Sequence, residues 1–335
     1  MPKNPVLLAY KFKKSTQPIK LESDNITEAL GGKDLCWVNL DARKHNIEEW
    51  LEKELSDLDS IIIESLTEDE TRARLVEYEN GCLIILRGVN SNRRSEMEDM
   101  VTLRIWVDEK RIITIQRRNI KAVTTIEEGI KNGKSYANAG EFICDICDEL
   151  TDNIQPVIDK IEDSTDETEE QILEQLSNED LYEDIVLNKK RIIIIKRHIF
   201  PQKNVIYNLS LCKQKWLGKN EKLHLQENAN HILRYVEELD SLKERSNVVH
   251  DEAANAINRK LNKNMYFLAI IAAIFMPLTF ISSLFGMNVG GIPLNVSKYG
   301  FWTISGTLLI MVLIQIFFSL RKIMNSSKKQ SHHSL

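Results

Sequence analysis

Two uncharged runs near the C-terminal end constrain this chain more than any other feature. Met265 to Phe285 holds 21 residues without a charge, and Phe301 to Leu320 holds another 20. At about 1.5 Å of rise per residue the first run spans roughly 31 Å, which matches a bilayer hydrocarbon core of about 30 Å. Lipid offers no water to unpaired backbone groups, so both runs are predicted to be helices joined into a membrane hairpin.

Charge orients that hairpin. Arg259, Lys260 and Lys263 precede the first run and Arg321, Lys322, Lys328 and Lys329 follow the second, while the loop between has only Lys298. By the positive-inside rule both termini are expected in the cytoplasm of a multi-pass inner (plasma) membrane protein, with the loop outside. Met1 to Lys20 is broken by Pro2, Pro5 and Pro18 and carries several lysines, so it has no signal-peptide core. The chain has 44 basic against 49 acidic residues and no basic block with interleaved aromatics, which excludes a nucleic-acid partner. A Gly-rich phosphate loop, a His-Glu-x-x-His pair and a nucleophile elbow are all missing, so neither an enzyme nor a cofactor is expected. Cysteines 36, 82, 144, 147 and 212 make no disulfide framework. Cys144-x-x-Cys147 lacks a second ligand pair and sits beside Phe142, Ile143 and Ile146, which reads as helix core.

In chain order, residues 1–140 read as a cytoplasmic α/β domain. The strand-like runs are Val6 to Phe12, Leu35 to Leu40, Ala73 to Glu79, Cys82 to Val89, Val101 to Val107 and Arg111 to Gln116. Glu79-Asn80-Gly81 and Asp108-Glu109-Lys110 are hairpin signals, and Asn46 to Leu55 and Glu68 to Arg74 suit short helices. Residues 141–222 read as helical arms. Within them, 145–184 holds sixteen acidic residues and one base, Lys160. That composition suits a solvated helical hairpin, or a reservoir that concentrates or senses divalent cations. Lys189 to His198, with four isoleucines at its centre, suits helix-to-helix packing, and Pro201 is expected to break or restart the helix. Residues 223–263 form a stalk helix continuous with a first membrane helix at 264–287. An external loop at 288–300, a second membrane helix at 301–320 and a basic cytoplasmic tail at 321–335 complete the chain.

A stripe runs along the stalk and the first membrane helix at alternating intervals of three and four. It consists of Ser283, Thr279, Met276, Ala272, Ala269, Met265, Asn262, Asn258, Asn255, Asp251, Asn247 and Glu244. The mean step is about 3.5, the period of one side of a gently supercoiled helix. No Leu, Ile, Val or Phe lies on it, so it is expected to face water; taking Leu268 in place of Ala269 adds one constriction. Two helices cannot enclose a wet path and a polar stripe facing lipid is costly, so a symmetric homo-oligomeric ring is expected.

The first run carries Met276-Pro277-Leu278-Thr279-Phe280, ends in Gly286-Met287-Asn288 and is followed closely by a last membrane helix. In this it resembles the CorA family of divalent-cation channels and transporters. Val289-Gly290-Gly291-Ile292-Pro293 is more similar to the zinc-transporting, ZntB-like branch than to the magnesium branch, because this loop has no carboxylate. The resemblance implies a funnel-shaped pentamer that transports divalent cations, with Zn²⁺ favoured over Mg²⁺. In such a ring Gly286 lets the chain leave the helix and Asn288 presents carboxamide oxygens that select a hydrated ion. Met265 and Met276 serve as apolar gate rings, Asp251 as a cation-attracting or gating ring, and Pro277 as a hinge. The alternative is a membrane-anchored sensor or scaffold without transport, which has no need of an aligned Asn288, Thr279 and Ser283.

Overall fold

A computed structural model describes residues 4–13, 16–44, 46–68, 72–90, 92, 95–96, 98–173, 179–287, 289, 293 and 298–330. It divides into two units, Met1–Ala253 and Ala254–Leu335.

The first unit is built on a seven-stranded sheet: β1 (Val6–Phe12), β2 (Ile19–Lys20), β3 (Leu35–Asp41), β4 (Arg74–Glu77), β5 (Gly81–Val89), β6 (Met100–Asp108) and β7 (Arg111–Gln116). The order is β2-β1-β3-β7-β6-β5-β4, with β3 and β7 parallel and every other pair antiparallel. Both expected hairpins form. Glu77 pairs with Cys82 across the first, and in the second the Asp108 carboxylate accepts from the N–H of Lys110 at 2.9 Å and of Arg111 at 2.8 Å.

Side-chain alternation along the strands makes two cores. Cys36, Val38 and Leu40 of β3, Leu83, Trp106, Ile113 and Ile115 point to one face. That face is covered by α1 (Ile26–Leu30), α2 (Ile47–Glu54) and α3 (Ser60–Thr67). Trp37, Ile84, Leu103, Ile105 and Ile112 point to the other. That second face is covered by α4 (Lys121–Lys131) and α5 (Ala139–Asp152), and by parts of α7 (Glu179–Leu211) and α8 (Lys219–Phe285). Its polar members form a chain: Trp37 Nε1 donates to Thr114 Oγ1 at 2.9 Å, and Thr114 Oγ1 donates to Asn39 Oδ1 at 2.9 Å.

The short helix expected over Glu68 to Arg74 is not found as such. Arg74 opens β4 and Glu68 is the C-cap of α3, which lies about two turns earlier; residues 69–71 are outside the described set. Asp59 caps α3 by accepting from Ile61 N at 3.1 Å. Ile62, Ile63 and Leu66 then bury against the sheet, which overrides the β-preference of three consecutive isoleucines.

Pro201 does not break its helix either: α7 runs through it. A proline inside a helix costs about 3 kcal/mol. Ile199, Val205, Ile206 and Leu209 on either side are buried, each worth about 1.5–3 kcal/mol. Gln202, fully buried, accepts from the N–H of Arg87 at 2.6 Å, past the point where β4 stops pairing with β5. Packing outweighs the lost hydrogen bond.

The acidic arm forms α6 (Gln155–Leu173) and α7, with residues 174–178 outside the described set. The two helices run antiparallel: Asn188 donates to Ser164 at 2.9 Å, and Ile172 packs with Leu181 and Ile185. Ile192 and Ile195 of the isoleucine run face the core, as helix-to-helix packing requires, while Ile193 is exposed.

The second unit contains the end of α8 and α9 (Gly300–Gln330), which continues past Leu320 into the basic tail. Both helices are long and apolar enough to cross a membrane. The uncharged part of α8 leaves Phe267, Leu268, Phe275 and Phe280 more than half exposed.

Two outcomes follow for the first unit. A Cβ on Gly81 would lie 2.6 Å from the Val107 carbonyl oxygen and 2.7 Å from Trp106, contacts that cannot both relax. Gly81→Ala is therefore expected to destabilise the chain by about 1–3 kcal/mol, read as a lower thermal midpoint; an unchanged midpoint contradicts this packing. Burial pushes the Cys36 and Cys144 thiols up to about 12 and raises Cys147 well above its ordinary value. At about pH 8 these three should resist a disulfide reagent until the chain unfolds, and rapid labelling of any of them in the folded protein would contradict their burial.

Candidate ion pathway

Helix α8 carries the whole stripe except its outer terminus. With 67 residues it is about 100 Å long, and it begins at Lys219, slightly earlier than the expected start. No proline or glycine interrupts it before Pro277, and it passes through Pro277 without a break. Pro277 has no N–H to offer Ala273, so one backbone carbonyl is released within the span.

In the first unit, α8 buries Leu242, Ser246, Val249 and Ala253. At about 100° per residue, Glu244, Asn247 and Asp251 fall on the opposite side of the helix. Glu244 and Asp251 are exposed and Asn247 is half-buried. The Asp251 side chain is 79% exposed, 3.3 Å from His250 Nδ1. His250 Nε2 in turn lies 2.9 Å from the Tyr182 hydroxyl of α7. Sequence spacing alone did not reveal this neighbour of Asp251, because Tyr182 is distant in the chain.

In the second unit, Asn255, Asn258, Asn262, Met265, Ala269, Ala272, Met276, Thr279 and Ser283 are all exposed, Met265 to 66% and Met276 to 72%. The half-buried residues of the span are Ile270, Ile274, Pro277, Leu278, Ile281 and Phe285. They lie roughly 170° around the helix from the stripe. The half-buried side chains therefore occupy the face opposite the stripe, and among the described residues the stripe stays exposed.

The chemistry along it is that of weak oxygen dipoles. Thr279 Oγ1 donates to the Phe275 carbonyl at 2.9 Å, so its oxygen lone pairs remain to accept. Gly286 follows the last helical residue, and its N–H donates to Ser282 O at 2.9 Å. Met287 is exposed. Asn288 and residues 290–292 lie outside the described residues. Among the described residues no group of three or more His, Cys, Asp or Glu side chains is placed to hold a metal ion. The stripe residues are aligned along one face of one helix and are not gathered into a cluster.

Acidic charge in the arm is tied to α8 by a few cations. Arg245 donates from Nε and Nη2 to Glu169 Oε2 at 3.1 and 2.6 Å, and also pairs with Asp166. Lys196 pairs with Asp240. On α5, Asp148 accepts from Asn228 at 2.8 Å and lies 2.7 Å from His224 Nε2. Burial raises the Asp148 carboxyl above its ordinary range, while Asn228 and His224 pull it back.

Comparison with known proteins agrees with this architecture. A family model described as CorA-like Mg2+ transporter protein matches residues 32–322. A zinc transport protein ZntB of Pectobacterium atrosepticum is 31% identical over 277 residues, covering 83% of this chain and 84% of the relative. The divalent cation transporter CmaX of Pseudomonas aeruginosa is 32% identical over 268 residues, covering 79% and 80%. The solved structure of full-length CmaX superposes with a TM-score of 0.79 at 27% identity, over 94% of this chain and 97% of that one. The CorA magnesium transporter of Methanocaldococcus jannaschii also gives 0.79, at 20% identity, over 95% and 98%, and so shares the fold. With nearly its whole length accounted for in this way, the chain belongs to the CorA family, whose members are divalent-cation transporters and not enzymes.

Proposed function

We propose that the chain forms a homo-oligomeric ring, a pentamer by analogy with its family, in the inner membrane. Divalent cations pass along the α8 stripe from Ser283 towards Asp251. The observation that carries this reading is the exposed row of small and polar residues opposite the half-buried face of α8. Copies of the same row, turned inward, give a path lined by Thr279, Ser283, three asparagines and two methionine rings.

Asn288 stands at the outer mouth in this reading. A ring of neutral carboxamide oxygens attracts a cation through dipoles and lets it leave, and Mg²⁺ and Zn²⁺ then enter with their water shells. Zn²⁺ is placed ahead of Mg²⁺ because the loop after Asn288 has no carboxylate, and a relative covering most of the chain is named a zinc transporter. With no His or Cys in either span, the ion is not ligated in the N/S manner of a protein zinc site. Asp251 supplies the ring of carboxylates at the cytoplasmic end, with both termini on that side, and Pro277 is the hinge.

Purified protein in liposomes is expected to carry Zn²⁺ faster than Mg²⁺ down a gradient. Asn288→Ala should lower flux by about tenfold, or about 1.4 kcal/mol of differential stabilisation of the passing ion. Flux of neither ion would refute transport, and an unaffected Asn288→Ala would refute the selectivity assignment alone. Asp251→Asn should reduce flux several-fold at about 0.01 M salt and little at about 1 M, where the Debye length falls from about 30 to 3 Å. Equal fluxes at low salt would remove Asp251 from the path.

A further inference from the structure

In the first unit a cavity of about 490 Å³ opens where the loop after β5 meets the starts of α4 and α6 and the middle of α7. Asn90, Glu96, Lys121, Asn153, Lys160 and Arg191 supply its polar wall. Three cations thus face one carboxylate. Lys160 is the only base among residues 145–184, and it is placed at this cavity. An acidic arm that reserves its one lysine for one cavity has made that cavity unlike the rest of its surface.

Three further features favour an anion. Lys121 is the first residue of α4, so that helix turns its positive end towards the cavity, which Pro156 and Val157 of the first turn of α6 also line. The residue before α4 is Ile120, which has no side-chain oxygen with which to cap it. Asn90 is 4% exposed, and its Oδ1 accepts from Asn92 N at 3.2 Å and Asn92 Nδ2 at 2.6 Å. Its own Nδ2 is buried without a partner. Asn39 Nδ2 and Gln202 Nε2 are also buried without a partner, but Asn90 lines the cavity, where an acceptor from outside has access to it.

Arg191 is held without being used up. Its Nη1 donates to Asn188 at 3.3 Å, and its Nε lies 3.5 Å from Glu98 Oε2, too far for a good hydrogen bond. Glu98 is 5% exposed and also lies 3.5 Å from Lys190 Nζ. It therefore fixes the guanidinium beside the cavity while leaving donors for a ligand. Arginine and lysine donors around a helix start suit a phosphoryl group, which offers several charged acceptor oxygens at once. The volume lies within the range of small-molecule sites and exceeds what a single ion needs.

We propose that this cavity binds a soluble, phosphate-bearing small molecule, held by Lys121, Lys160, Arg191 and the spare amide donor of Asn90. The inference is independent of transport, since no residue of the stripe takes part.

Calorimetric titration of the full chain in detergent micelles with inorganic phosphate and with adenosine 5′-monophosphate tests it. At least one of these probes should bind saturably, one per chain. Lys121→Glu and Lys160→Glu should each weaken binding by about tenfold or more, because a phosphoryl group then meets repulsion in place of an ion pair. Both side chains are exposed, so thermal midpoints should be unchanged and loss of binding is separable from loss of fold. Lys33→Glu, in the separate cavity beside Trp216, should leave affinity within about twofold, as expected for distant sites. No saturable binding of either probe, or binding that Lys121→Glu and Lys160→Glu both leave intact, overturns the proposal. Binding of short-chain phosphatidic acid but of neither soluble probe overturns it too, because the source is then a lipid headgroup.

Discussion

The rest of the structure depends on the continuity of α8. A helix of 67 residues does not rest on propensity alone, since helices in proteins draw most of their stability from packing of one face. From Leu225 to Ala253 that face is buried, through Ala229, Ile232, Val236, Leu239, Leu242 and Val249. Electrostatic ties to α5, α6 and α7, from His224, Asp240 and Arg245, fix its rotation as well as its position. Beyond Ala253 burial in the single chain ends, while the helix does not. Within the second unit the same helix keeps its 3.6-residue period, so the exposed row from Asn255 to Ser283 stays on one side of it.

Charge in the arm is arranged to serve that register. Sixteen acidic residues in 145–184 cannot be paired by the few bases of α7 and α8, so most stay hydrated. Arg245 pairs with Asp166 and Glu169, Lys134 with Asp145, and His224 lies against Asp148, while Lys196 of α7 pairs with Asp240 of α8. Exposed pairs of this kind contribute little individually, up to about 1 kcal/mol. Their value is in choosing one alignment of long helices over others a turn away. The unpaired remainder leaves a strongly negative surface around α6, which raises the local concentration of any divalent cation.

Much of this was legible in the sequence, for physical reasons that also explain what was not. Strands β1, β5, β6 and β7 and the turns at Asn80-Gly81 and Asp108 to Lys110 could be read because alternation and turn chemistry are local. The two apolar helices could be read because the bilayer sets their length. Two differences share a cause in tertiary packing. The helix expected over Glu68 to Arg74 lies instead at Ser60 to Thr67, whose buried residues fit against the sheet. Pro201 reads as a break, yet the core on both sides and the Gln202 contact with Arg87 hold α7 together. The helical arms are expected from residue 141, whereas α5 starts at Ala139, where Asn138 caps it by accepting from Glu141 N at 2.9 Å while Glu141 accepts from Ala137 N at 2.8 Å. That last signal was in the sequence, as an Asn three residues before a Glu. Of the proposed pathway, the exposed row on α8 was legible as a period; the contact of Tyr182 with His250, beside Asp251, was not, because it depends on how α7 lies beside α8.

The composition of the stripe bears directly on how an ion would be handled on the proposed path. Dehydrating Mg²⁺ demands a full set of close oxygens, and the span offers two hydroxyls, two thioethers and two alanines over Met265 to Ser283. Thr279 has already committed its proton to its own helix, so it contributes only acceptor lone pairs. Such a wall cannot replace a hydration shell, but it can accept hydrogen bonds from one. An ion that keeps its water needs a bore wide enough for the shell, and alanine at 269 and 272 supplies that width where leucine would not. The span has no carboxylate, and the first one met on the stripe, Asp251, lies beyond Arg259, Lys260 and Lys263 in the sequence. Attraction and passage are thus assigned to different segments of one helix, and only the segment outside the hydrocarbon carries charge.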